Sequence, residues 1–314
     1  FARETPDIVG LDSSAAILQP MTLITLLTDI GTSDSYVAEV KGVLASRAAG
    51  VPVVDITHEI SPGDIGAAAY VFGRAWHRFP PGSVHLVIVD PGVGTARAAF
   101  AFAAGGALFV GPDNGVLSSA FVHRPEQIIA LALSPDAAPT FHGRDLFAPA
   151  AAALATGTPP SALGVPFPGP PVTRSLPEPH HEGKTLIGIV IYIDRFGNLV
   201  TNLTPAMVPS YATLEVEESL IGGLRRTFGD VPPGGLVAYT GSAGSVEIAV
   251  REGSAARRLG IGVGGRVRGR MGCVNDRWRP CRLAAGFCAA RARPRRDDFS
   301  APAGRLSPSA DRVG

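Results

Sequence analysis

The chain has 314 residues, a formal net charge of +1, 46% hydrophobic and 18% charged residues. That length allows two domains and a sizeable core, and the charge balance offers no global field for nucleic acid or a membrane surface. No apolar run reaches the ~18 residues of a membrane span, and the first twenty residues lack a charged region followed by an apolar one. The cytoplasm is the expected location.

From Thr22 the pattern becomes regular. "TLITLLTD" predicts a buried strand ending at Asp29, and "SDSYVAEVKGVLASRAAG" a helix with Tyr36, Val37, Val40, Val43 and Leu44 at helical spacing. "VPVVDI" is a second strand. "SPGDIGAAAYVFGRAWHRF" predicts a helix with Ser61 as N-cap and Pro62 in its first position, where a missing N–H costs nothing. "SVHLVIVD" is a third strand. This alternation implies parallel pairing with crossover helices, an α/β domain. "AAFAFAAGGALFV" is a hairpin turning at Gly105–Gly106, "QIIALAL" a further strand, and "RDLFAPAAAALATG" a helix that stops near Gly157.

Between Gly164 and Lys184 the chain is too Pro-rich for a helix or central strand. Beyond it come short segments separated by Gly and Pro turns: "TLIGIVIYID", "NLVTNL", "ATLEVEE", "LRRTF", "LVAYTG", "SVEIAV" and "GRVRGRM". They predict a small antiparallel barrel or sandwich. The expected organisation is an extension over 1–20, a mainly parallel α/β domain over 21–165, a linker over 166–184, an all-β domain over 185–271 and a tail over 272–314. Met21, just before the first strand, is the expected natural start. The tail holds Cys273, Cys281 and Cys288, whose spacing matches no common zinc pattern. With nine Arg against four Asp it carries +5, yet it has no sustained apolar period, and poorly ordered sequence is expected over nucleic-acid binding.

In a parallel α/β sheet, ligands bind beyond the carboxyl ends of the strands. Polar residues gather at four such places: Asp29 with Asp34 and Tyr36, Asp90 in "VIVDPGVGTAR", the turn "GPDNG", and "FHGRDLF" with His142 and Arg144. Any one strand-end Asp is commonly a cap or turn former. "DPGVGT" lacks the GK[ST] ending of a nucleotide phosphate loop.

The order of the motifs is more specific than any one of them. "TDIGTSDSYVAEVKG", "VDPGVGTAR", "GPDNGVLS", "FHGRDLFAPAAA", "IDRFGNLVTN" and "GSAGSVEIAVREGSAA" together closely resemble the S-adenosyl-L-methionine hydroxide adenosyltransferase family, related to fluorinases and chlorinases. The resemblance runs from Leu23 to Met271. It implies cleavage of S-adenosylmethionine (SAM) to adenosine and methionine, by water or hydroxide attacking ribose C5′, with neither cofactor nor metal.

By motif, the resemblance maps a catalytic Asp–Arg–His trio onto Asp90, Arg97 and His142, and leaves open which of Asp90 and His142 takes the proton. It assigns Asp29 to the ribose hydroxyls, Asp34 and Tyr36 to the methionine end, and Gly143 to a position beside the nucleophile. Asp194 and Asn198 match methionine-binding positions, while Ser242, Arg251 and Glu252 match the adenine edge. It implies a homotrimer with each site between subunits. The alternatives are a halogenase, disfavoured because a carboxylate at position 90 would repel a halide, and a non-catalytic SAM or adenosine sensor.

Overall fold

The computed structural model describes residues 22–209 and 211–270. The expectations for the extension, the tail and the three cysteines lie outside the described residues.

Eleven elements build the first sheet and its helices: β1 (Ile24–Thr28), α1 (Tyr36–Arg47), β2 (Val53–Thr57), α2 (Ile65–Ala75), β3 (Val84–Ile88), β4 (Ala99–Ala104), β5 (Ala107–Pro112), α3 (Ser118–Phe121), β6 (Ile128–Leu131), α4 (Ala148–Ala155) and β7 (Gly164–Pro166). The strand order is β2-β1-β3-β5-β4-β6-β7. The β2-β1, β1-β3 and β3-β5 pairs are parallel, and the three pairs from β5 to β7 are antiparallel. β1 and β3 are buried along their whole length, as continuous apolar runs require when helices cover both faces. One face packs Val40 and Leu44 of α1 and the alanine-rich α4; the other packs Phe72 and Trp76 with Phe100, Phe102 and Phe109. β7, which ends on Pro166, sits at the sheet edge, where a missing ladder donor is tolerated.

One helix start differs from expectation. Asp64, not Ser61, caps α2: its side chain accepts from Ala67 N at 2.9 Å. Gly63 stands at φ +74°, a left-handed conformation that no helical first turn accommodates. Ser61–Asp64 is therefore a turn, closed by Asp64 N donating to Ser61 O at 2.9 Å. The turn aims Gly63 N at the end of β1, where it donates to Asp29 Oδ2 at 2.7 Å.

Residues 167–179 carry no helix or strand. The second sheet follows: β8 (His180–Glu182), β9 (Thr185–Ile193), β10 (Leu199–Thr201), β11 (Thr213–Val216), β12 (Ser219–Ile221), β13 (Leu236–Thr240), β14 (Val246–Val250), then the short helix α5 (Ala255–Leu259) and β15 (Arg266–Arg270). Its order is β12-β11-β15-β9-β10-β14-β13, with β8 on β9, and every pair is antiparallel. Arg225 N donates to Ala238 O at 2.8 Å, so the chain leaving β12 reaches β13 and brings the sheet near to a barrel. Leu186, Val190, Leu214, Ile248 and Val267 fill its interior.

"LRRTF" is not the strand expected. Arg225 makes a single bridge, and Asp230 Oδ2 then accepts from both Arg226 N and Thr227 N. A side chain has taken the donors a ladder would need, and a 3₁₀ turn follows at Phe228–Asp230.

Candidate active site at the ends of β1 and β3

β3 delivers Asp90 two residues past its end, on a side chain only 6% exposed. The next seven residues loop back so that Arg97 meets it as a fork: Nε donates to Oδ1 at 2.9 Å and Nη2 donates to Oδ2. The guanidinium lies 5.3 Å over the Phe147 ring, and the Arg97 side chain is 9% exposed. A planar, five-donor cation suits this position, because it spans a carboxylate in two contacts and stacks on an aromatic face. Gly94 explains why the turn is Gly-rich. It holds φ +75°, and a Cβ there would come 2.7 Å from Pro139 O, in the loop that carries His142.

His142 is 6% exposed. It opens a wide helical turn over Gly143–Phe147 that runs on into α4. Such five-residue turns are rare within helices and frequent at functional sites. Arg97 Nη2 donates to His142 Nδ1 at 3.2 Å. Since a guanidinium has no acceptor, Nδ1 must carry the lone pair, and the ring proton of the neutral imidazole sits on Nε2. Nε2 is buried without a partner among the described residues. Burial, and then Arg97, push the His142 pKa below the usual imidazole range, while Asp90 and Asp145 pull the other way. The trio thus contains a buried carboxylate, a donor fork shared with an imidazole, and one unmatched N–H.

Asp29 ends β1 nearby. Burial raises its pKa, the bond from Gly63 N opposes that, and the Asp90 charge adds a smaller upward push. It borders a hollow of about 340 Å³ lined by residues 29–31 and 58–62. Larger hollows, about 620 Å³ at the β4–β5 turn and about 580 Å³ where α2 faces β9, do not include the trio. Gly143 packs so closely on Ile88 and Phe141 that a Cβ would sit 3.1 Å from Ile88 Cγ2. Tyr36, 47% exposed, meets the Phe141 ring edge-on at 5.3 Å. Asp34 is exposed in the turn before α1.

Among the described residues, no hydrogen bond or ion pair links the five predicted residues of the second sheet to the trio, although Asp194 shares a hollow with Glu59, Ile60 and Ser61, which also border Asp29. Asp194 Oδ1 accepts from Phe196 N and Asn198 N, both at 2.9 Å, and Asn198 Nδ2 donates to Oδ2 at 2.9 Å. The turn so fixed presents Phe196, 75% exposed. Ser242 accepts from Arg74 Nη2 at 2.8 Å. Arg251 donates to Val231 O at 3.0 Å and lies 3.4 Å from Glu252, which adopts φ +58°.

Several contributors escape sequence reasoning. Asn114 Nδ2 donates to Val89 O at 2.8 Å and Val116 N to Asn114 Oδ1 at 3.1 Å, pinning the backbone just before Asp90. The polar turn "GPDNG" at a strand end was the available signal. Asp113 accepts from Val172 N at 2.7 Å, and burial lifts its pKa against a downward pull from Arg97. Phe147 gave no signal; an apolar residue at helical spacing reads as core. No group of three or more His, Cys, Asp or Glu arranged to hold a metal ion occurs among the described residues. Nor is any helix there long and apolar enough to cross a membrane.

Comparison with known proteins matches both halves. Residues 24–164 match the SAM hydroxide adenosyltransferase N-terminal domain, and residues 188–268 the C-terminal domain of the same family. An (R)-S-adenosyl-L-methionine hydrolase of Thermus thermophilus is 46% identical over 79% of this chain and 99% of its own length. One from Salinispora tropica is 40% identical over 80% and 98%. A fluorinase of an Actinoplanes species is 28% identical over 58% and 71%. Among solved structures, an uncharacterized conserved protein from Thermotoga maritima superposes with a TM-score of 0.73 at 33% identity, covering 79% of this chain and all of that one. With both sheets matched in sequence and fold, the chain belongs to the SAM hydroxide adenosyltransferase family.

Proposed function

We propose that this protein hydrolyses SAM to adenosine and methionine by in-line attack of water on ribose C5′. The observation that carries this reading is the buried Asp90–Arg97 fork with His142 on its far side.

In this step a water oxygen forms a bond to C5′ as the C5′–S bond breaks. The bonding pair passes to sulfur, which leaves as the neutral thioether of methionine. The water's proton is accepted by the Asp90 carboxylate and passes to solvent. A sulfonium leaving group needs no protonation, so the demand on the base is small, and placement and exclusion of bulk water dominate. Arg97 cannot be the base; it holds the carboxylate in plane. His142 presents Nε2–H and is therefore a donor that anchors the nucleophile or the ribose oxygen. Asp90 is the proton acceptor. Asp29, with Gly63 N fixing one oxygen, offers its remaining lone pairs to the ribose hydroxyls.

Asp34 and Tyr36 complete the methionine end, and Gly143 leaves room beside the nucleophile. Asp194, Asn198, Ser242, Arg251 and Glu252 belong to the reading as the face that closes the site from a neighbouring copy in a homotrimer. That none of these five bonds to the trio within one chain, among the described residues, supports that arrangement. The cytoplasm is the location that goes with it.

The test is incubation with SAM in water containing ¹⁸O, with products resolved by mass. Labelled adenosine plus methionine is expected, at one ¹⁸O per adenosine. Binding without turnover would favour a sensor, and 5′-chloro- or 5′-fluoro-deoxyadenosine in the presence of halide would favour a halogenase. The Asp90 carboxylate argues against the latter, because it would repel an incoming halide. Size-exclusion chromatography with light scattering tests the trimer.

A further inference from the structure

A buried histidine at the end of β2 is not used by the hydrolysis reading, and the backbone is bent to bring it into place. β1 and β2 pair with Leu26 level with Asp55 but Leu27 level with Thr57, so Ile56 is an extra residue in β2. Such bulges recur beside active sites, where they re-aim a side chain. Here the slip carries His58 to the level of Thr28, the residue before Asp29; an unbroken register would set Thr57 there. Thr28 is fully buried and His58 is 6% exposed. Thr28 Oγ1 and His58 Nδ1 lie 2.9 Å apart.

The loop around Asp29 is tied to this pair on both sides. Ile30 N donates to Thr28 Oγ1 at 3.5 Å, and Gly31 N donates to His58 O at 2.9 Å. Thr32 Oγ1 donates to Glu59 Oε1 at 3.2 Å. Across the ring, Asp55 Oδ1 lies 3.3 Å from His58 Nε2, short of hydrogen-bond alignment. Asp55 Oδ2 accepts from Lys41 Nζ of α1 at 2.6 Å. A carboxylate on that side favours the ring proton on Nε2. Nδ1 then accepts from the Thr28 hydroxyl, and a Thr28 lone pair remains for Ile30 N. His58 borders the Asp29 hollow, but with Nδ1 bonded and Nε2 buried its ring backs the site rather than receiving a ligand.

We propose that His58 is a positioning residue for Asp29. Through the Thr28 hydroxyl and its own carbonyl it fixes the loop, so that the carboxylate keeps one oxygen on Gly63 N and turns the other toward the ribose hydroxyls. The ribose end rests on the hydrolysis reading. The fixing of the carboxylate stands on these contacts alone.

The experiment uses the full chain and two readouts. Amide exchange by NMR follows the Gly63 N–H, which reports whether Asp29 keeps its place, against β3 amides that report global opening. Thr28→Val keeps the shape and removes the hydroxyl, and His58→Leu removes the acceptor. Each should speed Gly63 exchange relative to β3 by about tenfold, the scale of one hydrogen bond. Thr28→Ser should stay close to the parent, as should His58→Asn, whose amide oxygen takes the place of Nδ1. Calorimetric titration then compares adenosine with 2′,3′-dideoxyadenosine, which lacks both ribose hydroxyls. In Thr28→Val, adenosine binding should weaken by a similar factor while dideoxyadenosine binding holds, a split that general damage does not produce. Unchanged relative Gly63 exchange in Thr28→Val overturns the proposal even where His58→Leu fails to fold. So does equal weakening of both nucleosides, or exchange in the Ser and Asn variants as fast as in Val and Leu. A parent protein that binds the two nucleosides alike, or neither, while Gly63 exchange rises in the variants, leaves His58 positioning Asp29 and removes Asp29 from the ribose contact of the hydrolysis reading.

Discussion

The ends of β1 and β3 and the Asp194–Asn198 turn both concentrate polar side chains, yet they resolve them in opposite ways. At the trio, one cation serves two partners: Arg97 forks onto Asp90, seven residues before it, and donates to the neutral His142, forty-five residues on. One buried N–H, that of His142 Nε2, is left unmatched there among the described residues. In the turn, Asp194 spends its oxygens mostly within four residues, on two backbone amides and the Asn198 amide, with one lone pair of Oδ2 left. The first arrangement is poised to act on something brought to it. The second is a rigid mount, and what it offers outward is Phe196.

Removing the acceptor should break the comparison most sharply. Asp90→Asn keeps the shape and loses the carboxylate, so kcat for SAM cleavage should fall by about 10²–10⁴-fold. KM should change far less, in steady-state assays at a temperature where the variant is folded. Arg97→Met strands a buried carboxylate and should lower stability by about 3–5 kcal/mol, read from urea or thermal unfolding.

Acid provides a test that separates a catalytic histidine from a core one. His85 is 1% exposed, and Thr25 Oγ1 lies 2.8 Å from its Nδ1. Burial lowers its pKa from 6.5 to about 4. The folded state therefore binds this proton less readily than the unfolded chain. Its contribution is fully present above pH 6.5 and is lost as pH falls toward 4, up to about 3 kcal/mol. Unfolding curves between pH 7 and 4 should show that loss, and His85→Gln should reduce it. His142 is shifted in the same direction, so activity should decline on the acid side at a pH below that of an ordinary imidazole. The smallest effect belongs to the mount. Asn198→Ala removes one Asp194 contact and should cost about 1 kcal/mol of stability, while raising KM more than it lowers kcat.

How much of this was legible beforehand differs between the two regions for the same reason. β1, β3 and the β4–β5 hairpin follow from continuous apolar runs and a Gly-Gly turn, because burial on both sheet faces writes itself into local composition. The start of α2 did not follow. Ser61–Pro62 is a good local signal, overridden by a left-handed Gly63 whose amide is committed to Asp29 across the sheet. "LRRTF" failed likewise, since Asp230 competes for donors that alternation alone assigns to a strand partner. Arg97 and His142 could be named by motif order, but their contact could not.

By itself, the sequence determined the two-part architecture, an α/β sheet then an antiparallel one, and the family to which the order of six motifs points. Periodicity and turn chemistry are local, so they can be read along a line. Only the tertiary structure decided that His142 meets the Asp90–Arg97 fork and that His142 carries its proton on Nε2. Those facts depend on which strand ends meet. That is fixed by the packing of sheet faces against helices, not by anything within hydrogen-bonding reach along the chain.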